Sequence, residues 1–294
     1  MSKLYLDQPC SFSILKNYLL RRIARILPLY LSALILSALL LYTFDLNIYQ
    51  NANYRYIAQS IAMIRGFNVF WTVPVEFHFY VIFMGIWVSV THYNTLVFLI
   101  GVVIAQLFIL FLLGPHVNGL NWIFYWLHIF LLGICISQLQ SLRSRAGKKN
   151  IPDNPTTLRI LLGILLVGMI LLPPEIRVLL GIPTWGRHVD PFVLTILVVF
   201  LWLAVQEVSF LKFLKCRLIR SLGLISYSIN IVHVPILHLT KQLIAKSFLT
   251  NTLGIIFLLL TTTLLSIFTY FTIERPAIEW VNNKTRRVSA RRLV

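Results

Sequence analysis

The chain has 294 residues, of which 58% are hydrophobic and only 12% charged, with a formal net charge of +17 and a mean hydropathy of +0.82. A soluble domain is about 45–50% apolar and about 25% charged, so this composition excludes an ordinary water-filled fold and points to the bilayer. The apolar segments are continuous rather than alternating, which excludes a membrane β-barrel and predicts an all-α, polytopic helical bundle. The positive charge needs no nucleic-acid partner, because cytoplasmic loops of membrane proteins collect Lys and Arg.

In chain order, the N-terminus MSKLYLDQPCSF has no apolar run behind its first basic residue. No cleavable signal peptide is expected, and the first apolar span is expected to act as the targeting signal. About eight transmembrane helices follow, each long enough for about 30 Å of hydrocarbon. Their approximate limits are 26–44, 71–90, 95–113, 120–139, 158–174, 190–208, 222–240 and 252–273. Pro74, the Pro173–Pro174 pair and Pro235 interrupt three of them. Residues 175–189 read as a short interfacial piece, and residues 281–294 as a basic cytoplasmic tail. No internal repeat or low-complexity tract divides the chain, so residues 1–294 are expected to form one domain. Cys10, Cys135 and Cys216 are odd in number and far apart. They give no disulfide framework and no metal-ligand spacing, and no metal or bound cofactor is expected.

With the N-terminus inside, 20 of the 26 Lys and Arg fall on inner segments and six on outer loops. That bias predicts that both termini are cytoplasmic.

Three polar sets lie inside the apolar spans, where polar groups usually face a cavity, a partner or the bundle interior. In LGLISYSINIVHVPILHLT, residues Ser226, Asn230 and His233 are spaced to share one helical face. The ring of Pro235 leaves the carbonyl of Ile231 without its helical donor. This stripe reads as the wall of an active site or conduit, or as interhelical hydrogen bonding worth about 0.6 kcal/mol per pair. Asn121, Tyr125 and His128 repeat the spacing, and there packing beside an aromatic belt is the favoured reading. In FWTVPVEFHFY (70–80), Glu76 heads an apolar segment among aromatic rings, with Pro74 in the first helical turn. A carboxylate at a helix start is ordinary. Tyr80, one turn further on the same face, suggests instead a partly dry pocket, which this topology puts near the outer surface. At the opposite end, Arg22 and Arg25 share a face with Arg21 beside them. Such guanidinium groups are either positive-inside anchors or a bidentate phosphate site.

Four ordered stretches, YLLRRIARILPLY (18–30), FWTVPVEFHFYVIF (70–83), LGLISYSINIVHVPIL (222–237) and IERPAIEW (273–280), resemble the acyltransferase 3 family of membrane O-acyltransferases, which modify bacterial surface polysaccharides and related glycans. The resemblance covers essentially the whole chain. It implies a bacterial inner-membrane enzyme that moves an acyl group, often acetyl, from a cytoplasmic acyl-CoA to a sugar hydroxyl. By position, Arg22 and Arg25 match the arginines that meet the donor, and Glu76 and His233 match the family acid and the late-helix histidine. Glu76 and His233 are therefore the catalytic candidates. Arg21, Arg22, Arg25, Tyr80, Ser226, Tyr227 and Asn230 are the candidates for donor or substrate binding.

Family members open with about two further spans, the first carrying an Arg and, about three helical turns later, the His regarded as the general base. The chain begins where the family's third span is about to begin. The expectations are therefore a late start or a truncated, inactive copy with those helices encoded upstream, or else His233, ahead of His78, in the role of base. A transporter or flippase for a glycan or lipid intermediate is the alternative function, with the polar stripe as its conduit. A catalytically silent partner subunit is a further one.

Overall fold

A computed structural model describes residues 11–49, 53–90, 95–113, 123–145, 156, 160, 163–165, 167–168, 174–181, 191–206 and 215–290. Among these residues the structure is helical, with no strand. Four helical stretches, Phe12–Phe44, Asn68–Val88, Arg217–Ala245 and Asn251–Thr285, are long and apolar enough to cross a membrane. This is the helical membrane protein that the composition demands. The chain divides into two compact units, one of residues 11–81 and 220–294, the other of residues 1–10 and 82–219.

The first unit holds every catalytic and binding candidate named above. Its first helix, α1 (Phe12–Phe44), begins at Ser11, whose side chain accepts the Ile14 amide, and ends at Asp45 in the left-handed region. At 33 residues, α1 is about 50 Å long, well beyond the hydrocarbon thickness. It starts 14 residues before the expected apolar limit, so Arg21, Arg22 and Arg25 lie on the helix, as the shared face of Arg22 and Arg25 requires, but well inside it rather than at its end. Helix α2 (Tyr54–Ile61) is capped by the Asn53 side chain. The Tyr30 hydroxyl of α1 donates to the carbonyl of Ser60 at 2.9 Å. A 3-10 turn, Asn68–Trp71, leads into α3 (Thr72–Val90). Gly66 precedes that turn because a Cβ there would lie 2.2 Å from the carbonyl oxygen of Phe70. Tyr18 meets Tyr80 and Tyr30 meets Phe70, so numbering rises along α1 as it falls along α3, and the two are antiparallel.

The unit continues with α8 (Arg217–Ala245) and α9 (Asn251–Thr269). The Thr250 hydroxyl caps α9 by accepting the Leu253 amide. Gly254 allows a close approach, since a Cβ would stand 2.6 Å from the Ile244 side chain. A π-turn, Tyr270–Glu274, joins α9 to α10 (Arg275–Ala290). Pro276 accounts for the disturbed ladder there, because it offers no N–H to the carbonyl of Thr272. Helix α10 packs on α1 and buries Val281 and Thr285. Residues 281–290 of the expected basic tail are thus a docked helix, and residues 291–294 lie outside the described residues.

The second unit contains α4 (Thr95–Leu113), α5 (Ile123–Arg145), α6 (Pro174–Leu179) and α7 (Pro191–Val205). Helix α5 packs against both α4 and α7, with Leu99, Leu131 and Leu203 fully buried. The side chain of Gln206 donates to that of Gln140 at 2.5 Å. His128 of the second polar set is buried in α5, whereas Asn121 and the side chain of Tyr125 lie outside the described residues. So does most of the 158–174 span. The interfacial piece expected at 175–189 is helical over its first residues, as α6, with Arg177 buried.

Candidate active site

The first cluster joins α1 to α3. Tyr80 donates a short hydrogen bond to Glu76, as their one-turn spacing allows. Tyr18 and Tyr80 are both buried and meet edge to face at 6.2 Å. The Arg22 guanidinium lies over both rings, 5.5 Å from the Tyr18 centroid and 5.7 Å from that of Tyr80. Two aromatic faces therefore hold this cation by the attraction of their quadrupoles, with the Glu76 carboxylate one hydrogen bond away. The topology read from the sequence separated Arg22, at the inner end, from Glu76, near the outer surface. The contact corrects that, since the two charges share one level of the bundle. The physical reason is the length of α1, which carries its arginines up beside the middle of α3.

The second cluster joins α1, α8 and the π-turn. Tyr227 donates to the carbonyl of Ile26 at 2.9 Å. Its neighbour Ser228 is fully buried and donates a short hydrogen bond to Glu274, which is 1% exposed. Arg25 is exposed on α1, near enough for its charge to act on the Glu274 carboxylate. Glu274 and Ser228 are the participants that pattern reasoning missed. Both stand in the quoted stretches, Glu274 in IERP and Ser228 in SYS. The signal available was an acid directly abutting the 252–273 span.

The third cluster is a groove of about 560 Å³ between α8 and α9, lined by Ser226, Asn230 and His233 on one side and by Leu258, Thr262 and Thr263 on the other. The stripe read from the sequence does share one face, and that face is the groove wall. The Nδ1 of His233 lies 3.1 Å from the carbonyl of Ile229. A carbonyl only accepts, so this contact places a proton on Nδ1, and in the neutral form of the ring Nε2 then carries the lone pair. Asn230 makes a long 3.5 Å contact with the Thr72 hydroxyl at the head of α3, and Ser226 bonds back to Gly223 at 3.0 Å. The Thr262 hydroxyl is buried with no hydrogen-bond partner among the described residues. That leaves a donor and acceptor beside the groove for a ligand or water.

These placements sort the candidates. Arg22, Glu76 and Tyr80 form one cluster. Tyr227 belongs to the second, on a different face of α8 from the groove, and Arg25 stands near it. Ser226, Asn230 and His233 form the third. Arg21 is exposed. No hydrogen bond joins Glu76 to His233 among the described residues. From the level of Tyr227, beside Ile26, to that of His233 is six residues, or about 9 Å along α8.

A family model described as an acyltransferase domain matches residues 4–271. Comparison with curated proteins and with solved structures found no match. The family match takes in α1, the Glu76 segment, the polar stripe of α8 and the helix α9 that faces it, and the chain belongs to the acyltransferase 3 family.

Proposed function

We propose that this chain is a membrane O-acyltransferase that moves an acyl group, acetyl by the family resemblance, from a cytoplasmic acyl-CoA to a hydroxyl of a cell-surface glycan or glycolipid. The observation that carries the reading is the placement of His233: its Nδ1 lies 3.1 Å from the Ile229 carbonyl, and its ring lines the groove beside Asn230 and Thr262. A neutral imidazole whose proton is fixed on one nitrogen is arranged to accept one at the other.

The step this arrangement supports is direct. Nε2 takes the proton of the acceptor hydroxyl as its oxygen attacks the thioester carbonyl. A C–O bond forms and the C–S bond breaks. The imidazolium then returns its proton to the departing thiolate. Arg25 and Arg21 are exposed and offer donor phosphates the planar, bidentate binding of guanidinium groups. Arg22 is held by Tyr18 and Tyr80, so its part is to set the Glu76 carboxylate and the local field. The charge bias of the chain supports a donor side, and both termini, facing the cytoplasm of a bacterial inner membrane.

The test uses the full chain in lipid nanodiscs with labelled acetyl-CoA and a glycan acceptor. Label should pass to the acceptor in the wild type and be lost in both His233→Ala and His233→Gln, with coenzyme A binding retained. Equal turnover by the His233 variants would remove the base assignment. Movement of a glycan across sealed vesicles without donor binding would favour the transporter reading instead.

A further inference from the structure

Pro235 sits inside α8, so the carbonyl of Ile231 has no amide at the position four residues on. Leaving such an acceptor buried and unfilled would be costly. Ile231 is 1% exposed, and the group that meets its carbonyl comes from outside the helix. The Tyr49 hydroxyl, from the loop after α1, donates to it at 3.1 Å.

Tyr49 is itself firmly held. It is 3% exposed. The side-chain amide of Asn68 donates to its carbonyl at 2.6 Å, and its ring lies 4.5 Å from that of Phe70. Burial pushes its hydroxyl above the ordinary value of 10.0, so it remains a protonated donor throughout the working range of an enzyme. The peptide it engages lies between Ile229, whose carbonyl fixes the His233 tautomer, and His233 itself.

We propose that Tyr49 is a positioning residue for His233: its hydroxyl occupies the acceptor that Pro235 leaves open, and so holds the 229–233 segment in the geometry that keeps Nδ1 on the Ile229 carbonyl and Nε2 on the groove. The proposal rests on the reading of His233 as the base. Without the hydroxyl, the Ile231 carbonyl turns toward any other donor and its peptide tilts. His233, two residues on, turns with it. A misplacement of about 1 Å at a reacting group lowers turnover by about 100-fold.

Four full-length proteins test it in nanodiscs: wild type, Tyr49→Phe, Pro235→Ala and the double variant. Phe keeps the buried ring, so Tyr49→Phe removes one hydroxyl and little else. It should lower kcat by about 10- to 100-fold with KM for acyl-CoA within about twofold. Pro235→Ala returns an amide to the Ile231 carbonyl. In the double variant it should restore the thermal midpoint but not kcat, because the restored amide closes the ladder that Pro235 keeps open. Recovery of kcat together with the midpoint would reduce Tyr49 to a structural hydrogen bond and overturn the proposal. So would an unchanged kcat in Tyr49→Phe. A second readout needs no turnover. The ring ¹⁵N shifts of His233, assigned by their loss in His233→Asn, should move in Tyr49→Phe, and unmoved shifts would also overturn it. A wild type that binds acyl-CoA without transferring it would sink the base reading alone, and the ¹⁵N comparison would still decide whether Tyr49 sets the ring.

Discussion

The Ser228–Glu274 pair gives the sharpest stability prediction. Ser228 is fully buried and Glu274 is 1% exposed, and this hydroxyl is the one hydrogen-bond donor to the carboxylate among the described residues. Ser228→Ala removes the donor and leaves the buried carboxylate in place. A hydrogen bond to a charged group contributes about 1.5–3 kcal/mol, and an orphaned buried acceptor keeps its desolvation penalty. At about 2–4 °C per kcal/mol for a large domain, the thermal midpoint should fall by about 3–12 °C. Glu274→Gln removes the charge but keeps an oxygen for Ser228, and should be milder than Ser228→Ala. The Ser228→Ala/Glu274→Gln double variant should then lose less than the two singles combined, with a coupling of about 1–2 kcal/mol. The assay is intrinsic tryptophan fluorescence on heating the detergent-purified protein, with the four proteins at one concentration. Strict additivity would refute the reasoning, since it would mean that the hydroxyl and the carboxylate do not share the interaction.

Three further predictions concern Arg25, Arg22 and Gly66. Arg25→Ala should weaken coenzyme A binding by about tenfold or more, with Arg25→Lys recovering only part because the planar fork is lost. Arg22→Lys should instead destabilise the protein by about 1 kcal/mol, as stacking over two tyrosines is given up, and should weaken coenzyme A binding less than Arg25→Ala; calorimetric titration and thermal melts of the same samples check both. Gly66→Ala should destabilise by about 3 kcal/mol or prevent folding, because the new Cβ would meet the backbone oxygen of Phe70 at 2.2 Å, an overlap that no rotamer relieves. Native-like yield after insertion measures it.

Much of the fold was legible because hydrocarbon imposes length and polarity on a spanning helix. The spans read at 26–44, 71–90, 95–113, 222–240 and 252–273 fall on or within helical elements, and the described part of 190–208 is almost wholly helix α7. Their limits were less legible, because hydropathy marks where lipid contact ends and not where the helix ends. Helix α1 continues through its arginines, and α9 passes through a π-turn into a basic helix. Neither event changes the hydropathy of the apolar run itself. Periodicity did carry the groove wall. Ser226, Asn230 and His233 share a face because they are four and three residues apart, and the structure sets that face against Thr262 and Thr263.

What a single helix could not reveal was which groups it would meet. Pro235 announced an open carbonyl at Ile231, but the donor that fills it, Tyr49, lies 182 residues away in sequence. Glu274 was visible as an acid directly after an apolar span, but its donor is 46 residues earlier. The depth of Glu76 was misjudged for the same reason. Counting from the head of α3 puts it near one surface, and counting from the arginines of α1 puts them near the other. Only the Arg22–Tyr80 contact shows that the two counts share a level. That contact changes the chemistry available to the site. A carboxylate remote from the arginines could serve only the acceptor, whereas one bonded to Tyr80 beneath the Arg22 guanidinium moderates the field on the side where donor phosphates would bind. Neutralising it in Glu76→Gln would therefore act on the donor as well as on the acceptor, and the two effects separate in the KM for acyl-CoA and the KM for the glycan.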